Sequence, residues 1–139
     1  IIDLGGDIYA LGSKNSDNNW KVGIQDSFSD RGKVIGAVKV FDKTVVTSGI
    51  YERFIEEDGV RYHHILNPST GYCYDNDLSS VTIVSKSSLQ GDALSTVCFA
   101  LGKEKGLALL NSIKNVSGCF IDDHNQISYS KNFKKYLSN

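Results

Sequence analysis

Apolar and polar positions along this chain fall first into short runs with period two, then into one longer stretch with helical period. In Leu78–Ser85, Val81 and Ile83 alternate with Thr82 and Val84, the spacing of a β-strand. Similar runs occur at Ile1–Leu11, Trp20–Ile24, Val34–Phe41, Thr44–Ser48, Tyr51–Glu56 and Val60–Leu66. After Ser88 the period changes. Leu89, Ala93, Leu94, Val97, Cys98 and Leu101 recur at helical spacing and define one apolar face, with Ser88 as N-cap and Gly102 as stop. A second helix is expected over Lys103–Ile113, with Leu107, Leu110 and Ile113 inward. Gly118–Asp122 and Gln126–Ser130 then close the chain as a hairpin. Many antiparallel strands and two consecutive late helices predict an α+β fold, mostly antiparallel sheet.

The segments between these runs carry turn chemistry. Gly12–Asn19 and Ser27–Lys33 are polar loops, and Asp42-Lys43 is a turn. Glu57-Asp58-Gly59 between two strand-like runs is a hairpin signal. Asn67–Gly71 turns around the only proline. Gly5-Gly6 within the first run marks a bulge or a close approach of backbone to a ligand. It lacks the glycine spacing of the dinucleotide fingerprint.

Composition narrows the function classes. The 139 residues suit one domain (1–139), with 40% hydrophobic and 22% charged residues, as in ordinary globular proteins. A formal net charge of -1 supplies no basic footprint for nucleic acid and no basic anchor for an anionic membrane. No apolar run approaches the roughly 18 residues that span a bilayer. Cys73, Cys98 and Cys119 are scattered and odd in number, without a C-x-x-C pair, so metal–thiolate and dithiol readings lack support. Cys98, in an apolar helical stretch, reads as a core residue. The chain opens on Ile1-Ile2-Asp3 without an initiator Met. The expectation is part of a larger protein.

Candidate chemistry concentrates in two places. Asp92 and Thr96 lie one turn apart on a predicted helix face, after Gly91. A carboxylate and a hydroxyl suit Mg²⁺, which prefers oxygen ligands and keeps waters or substrate phosphates. The alternative is that Asp92 caps early helix N–H groups and Thr96 bonds back to its own helix. In Val60–Leu66, Val60, Tyr62 and His64 share one face while Arg61 and His63 share the other. The apolar company of His64 turns it toward the interior or a cleft, where it serves proton transfer or packs as a hydrogen-bonded structural histidine. His124, in a polar turn, is expected in solvent. Thr47-Ser48-Gly49 ends a strand either as a plain turn or as a phosphate-holding one.

The order and wording of these segments are familiar. Asp3-Leu4-Gly5-Gly6-Asp7-Ile8, Trp20–Gln25, and Thr47-Ser48-Gly49 leading into Tyr51-Glu52-Arg53-Phe54 come first. Tyr62-His63-His64-Ile65-Leu66-Asn67-Pro68-Ser69-Thr70-Gly71 and Asp92-Ala93-Leu94-Ser95-Thr96 follow. Together they resemble the FAD:protein FMN transferases, the bacterial ApbE family, formerly called thiamine biosynthesis lipoproteins. The resemblance runs from about Asp3 to about Phe133 and corresponds to the C-terminal portion of the family. It implies an α+β fold and a Mg²⁺-dependent transfer of FMN from FAD to a Thr or Ser hydroxyl of an acceptor protein, with AMP leaving. Acceptors in such a family are subunits of membrane redox complexes. Residue by residue, Asp92 and Thr96 match the metal ligands. His64 matches the histidine that assists transfer as base or transient nucleophile. Gly5, Gly6, Asp7, Ser48 and Gly49 match segments lining the flavin nucleotide site. The N-terminal half of such enzymes, with part of the FAD pocket, has no counterpart here. Family habit implies the cell envelope, at the outer face of the inner membrane, with cytoplasmic relatives known. The other readings are an FAD pyrophosphatase yielding FMN and AMP, and a non-catalytic flavin-binding module.

Overall fold

The computed structural model describes residues 1–15, 18–30 and 32–138. Ser16 and Asp17 of the first polar loop and Arg31 of the second lie outside the described residues. The strands are β1 (Ile2–Asp3), β2 (Asp7–Ala10), β3 (Trp20–Gln25), β4 (Val34–Val40), β5 (Lys43–Gly49), β6 (Phe54–Glu57), β7 (Val60–His63) and β8 (Leu78–Ser85). Helices α1 (Ser88–Leu101) and α2 (Lys103–Ser112) follow, then β9 (Ser117–Asp122), β10 (Ile127–Tyr129) and a 3-10 turn at Lys134–Tyr136. This is the α+β arrangement expected from the patterning.

Six strands form one sheet in the order β1-β2-β5-β8-β9-β10, and every pairing is antiparallel. The alternation of side chains sorts the sheet into two cores. Val45, Val84, Cys119 and Ile121 point to one face, where the β3–β4 ribbon covers them with Val22, Ile24, Val38 and Val40. Val81, Ile83 and Phe120 point to the other, where Cys98, Phe99 and Leu110 of the helices cover them. On β5 the residues facing α1 are Thr44, Val46 and Ser48. A Cβ added at Gly91 would stand 2.8 Å from Val46 Cγ2 and 3.2 Å from Thr44 Cγ2. Small residues on α1 therefore let the helix lie close on β5.

Several local expectations are corrected. The first run is two strands, β1 and β2, paired as a hairpin. Gly5 (φ 77°) and Gly6 (φ 102°) make its turn, in backbone that side chains with a Cβ rarely adopt. The N-cap of α1 is Ser87, whose side chain accepts from Gln90 N, and not Ser88. The buried face of α1 is Gly91, Ser95, Cys98 and Phe99, while Leu89, Val97 and Leu101 are exposed. The strand through the histidines ends at His63. Of the two histidines, His63 is the half-buried one and His64 is exposed. The Asp58-Gly59 turn is as expected, with positive φ at both residues and Glu57 opposite Val60.

Candidate functional site

The site assembles where α1 crosses the end of β5. Ser48 is the last α1-facing side chain of that strand. Its hydroxyl lies 2.7 Å from Ser95 Oγ and 3.2 Å from Thr96 Oγ1. Ser95 Oγ donates back to the Asp92 carbonyl at 2.8 Å. Thr96, which the spacing offered as a self-bonding helix residue, bonds to the sheet instead; Ser95 is the residue that bonds its own helix. The Asp92 carboxylate is exposed, makes no hydrogen bond or ion pair among the described residues, and is not the helix cap, because Ser87 holds that role. Asp92 and Thr96 stand one turn apart on the exposed side of α1.

Thr96 and His64 line the same cleft of about 460 Å³, with Ile65, Leu66, Pro68 and Val97. The His64 backbone N–H and its Nδ1 each lie 3.1 Å from the Arg53 carbonyl oxygen. A carbonyl only accepts, so the neutral ring carries its hydrogen on Nδ1 and presents a lone pair at Nε2. His63 has the opposite arrangement. Its Nδ1 accepts from the Ile65 N–H at 3.3 Å, so Nε2 donates to the Tyr74 carbonyl at 3.2 Å. Its ring meets Phe99 of α1 edge-on, with centroids 5.6 Å apart. Burial lowers the His63 pKa below the ordinary 6.5. His63 therefore ties the histidine segment to α1.

The turn after the histidines is pinned locally. Asn67 Oδ1 accepts from Ser69 N, and its carbonyl accepts from Gly71 N. A larger concavity of about 620 Å³ adjoins it, lined by Phe54, Ile55, Tyr62, His64 and Tyr72 among others. His124 is in solvent, as expected.

The remaining expected residues sit beside β5, in the N-terminal hairpin, or at the end of the strand next to Ser48. Asp7 Oδ1 accepts from Thr44 Oγ1 at 3.0 Å, and Ser88 Oγ donates to the same Thr44 oxygen at 3.2 Å. Asp7 thus joins the N-terminal hairpin to the start of α1. The Gly6 carbonyl accepts from Thr47 N. Gly49 is covered by the Tyr51 ring, which an added Cβ would meet at 2.7 Å. Ser95, His63 and the Arg53 carbonyl were not legible as site groups.

The donors that gather here are a carboxylate and hydroxyls, which suits a hard cation that keeps waters or phosphate oxygens in its other positions. Among the described residues no group of three or more His, Cys, Asp or Glu side chains comes together, so nothing resembles a closed zinc-type cage.

A protein-family model described as the ApbE family matches residues 1–120. The chain belongs to the ApbE family. It is 47% identical over 129 residues to the FAD:protein FMN transferase of Treponema pallidum, covering 87% of this chain and 36% of that protein. It is 42% identical over 130 residues to that of Klebsiella pneumoniae, covering 94% and 39%. The crystal structure of the ApbE protein of Thermotoga maritima superposes with a TM-score of 0.86 at 36% identity, over 97% of this chain and 43% of that one. The chain spans about two-fifths of the length of these relatives.

Proposed function

We propose that this ApbE-family chain carries the metal-binding and proton-transfer part of a flavin transferase that moves FMN from FAD to a Thr or Ser hydroxyl of an acceptor protein. The observation that carries the reading is the junction of Ser48, Ser95 and Thr96, with His64 lining the same cleft as Thr96. The printed names of its relatives, FAD:protein FMN transferase, support it.

In this reading Asp92 and Thr96 hold Mg²⁺, which supplies Lewis-acid stabilisation at the pyrophosphate of FAD. The His64 Nε2 lone pair takes the proton of the acceptor hydroxyl as its oxygen forms a bond to the FMN phosphorus. The bond from that phosphorus to the bridging oxygen breaks, and AMP leaves. The Arg53 carbonyl holds the imidazole hydrogen on Nδ1, which keeps Nε2 free to accept. Gly5, Gly6, Asp7, Ser48 and Gly49 belong with the walls of the nucleotide site. Acceptors of the family's habit are subunits of membrane redox complexes, which suits the cell envelope as the place of action.

The test is incubation of the protein at its natural length with FAD, Mg²⁺ and an acceptor bearing a candidate Thr. A flavin-fluorescent acceptor band on a denaturing gel is expected, with AMP in solution. AMP without the band makes the protein an FAD pyrophosphatase. Neither product overturns the catalytic reading and leaves a flavin-binding module.

A further inference from the structure

Thr96 can act as a ligand only through an oxygen lone pair, so the direction of its O–H decides whether it helps or hinders. Each hydroxyl has one hydrogen to give and two lone pairs to receive. Ser95 Oγ lies 2.8 Å from the Asp92 carbonyl, which cannot donate, so the Ser95 hydrogen is committed there. The 2.7 Å contact between Ser95 and Ser48 then requires Ser48 to donate. With the Ser48 hydrogen spent, the 3.2 Å contact between Ser48 and Thr96 requires Thr96 to donate.

From this chain we infer that Ser48 and Ser95 are positioning residues that turn the Thr96 hydrogen toward the sheet and its lone pairs away from it. The relay runs Thr96 to Ser48 to Ser95 to the Asp92 carbonyl, so both of its ends fall on the two residues read as metal ligands. It also braces the Asp92 backbone at the turn that carries the carboxylate. The inference rests on the metal-ligand reading above and deepens it. It also gives Ser48 a different task from lining a nucleotide pocket.

The two serines act at different links. In Ser48→Ala, Thr96 loses the acceptor that orients its hydrogen. In Ser95→Ala, Ser48 loses its acceptor, and its hydrogen turns to Thr96 Oγ1, occupying a lone pair that a cation would use. Ser48→Thr keeps the hydroxyl and suits a strand position.

Mg²⁺ affinity is measured by calorimetry on the protein at its natural length, without turnover, for Ser48→Ala, Ser95→Ala, Ser48→Thr and Thr96→Ala. Groups that orient a metal ligand typically change affinity by about 10–100-fold when removed. Ser48→Ala and Ser95→Ala are each expected to weaken binding by about tenfold, and Ser48→Thr to keep most of it. Circular dichroism checks folding, and Ser95→Ala carries the test if Ser48→Ala does not fold. Weakening by Thr96→Ala alone, with both serine variants binding normally, overturns the relay and leaves the metal reading standing. Unchanged binding in Thr96→Ala overturns both.

Discussion

At the scale of single residues, two adjacent histidines share a chain segment and differ in task. Their carbonyl partners force opposite tautomers: hydrogen on Nδ1 in His64, on Nε2 in His63. A long-range proton–nitrogen spectrum at neutral pH is expected to show both patterns; a single common tautomer would contradict the hydrogen bonding. His64→Ala is expected to lower the transfer rate by about 10²–10⁴-fold, the usual worth of a general base, with FAD affinity retained. An equal loss of FAD binding would make His64 structural. His63 predicts a pH effect. Its folded pKa lies below 6.5, so on acidification the unfolded chain takes up the proton first. Its contribution to stability is full above pH 6.5 and fades as pH falls through 6.5 toward the lower folded value. The thermal midpoint should therefore drop between pH 7.5 and 5.5, less so in His63→Gln. Asp92 and Thr96 were legible because one helical turn separates them. Ser48 was not legible as their neighbour, since it stands 48 positions before Thr96 in the chain.

At the scale of elements, α1 shows why counting apolar positions misplaced a face. Spacing selected Leu89, Val97 and Leu101, which are exposed. Packing selected Gly91 and Ser95, because the axis lies so close to β5 that only small residues fit between. Gly91→Ala tests this. Helix propensity alone favours the alanine by about 1 kcal/mol. The new Cβ would stand 2.8 Å from Val46 Cγ2, so the expected net effect is destabilisation of about 1–3 kcal/mol by denaturant unfolding. Stabilisation would mean that α1 rides higher on the sheet. Loss of the cap in Ser87→Ala is expected to cost about 1 kcal/mol, while Ser88→Ala disturbs the Thr44 contact instead. The turns were far more legible than the faces. Asp58-Gly59 and Asn67–Gly71 adopt what their residues dictate, because turn conformation is decided within four or five residues.

At the scale of the whole molecule, the sheet separates two cores, and the cysteines report on both. Cys119 belongs to the ribbon-covered core and Cys98 to the helix-covered one. Burial pushes their thiols up to about 12 and about 11. A thiol reagent at pH 8 is expected to label only Cys73 in the native protein, since it alone is not buried. Cys98 and Cys119 should react together on unfolding. Early labelling of Cys98 alone would show that the helix layer opens before the sheet. By itself the sequence determined the α+β class, most strand and helix positions, the turn residues, and the residues through which the chain resembles the ApbE family. These follow from short-range periodicity, capping and turn chemistry, which act between near neighbours. Only the tertiary structure decided that His63 is the packed histidine and that Ser48 meets Ser95 and Thr96. Those facts depend on strand order and on the depth at which α1 sits over β5. Both are products of distant surfaces excluding water together, which leaves no local mark on the chain.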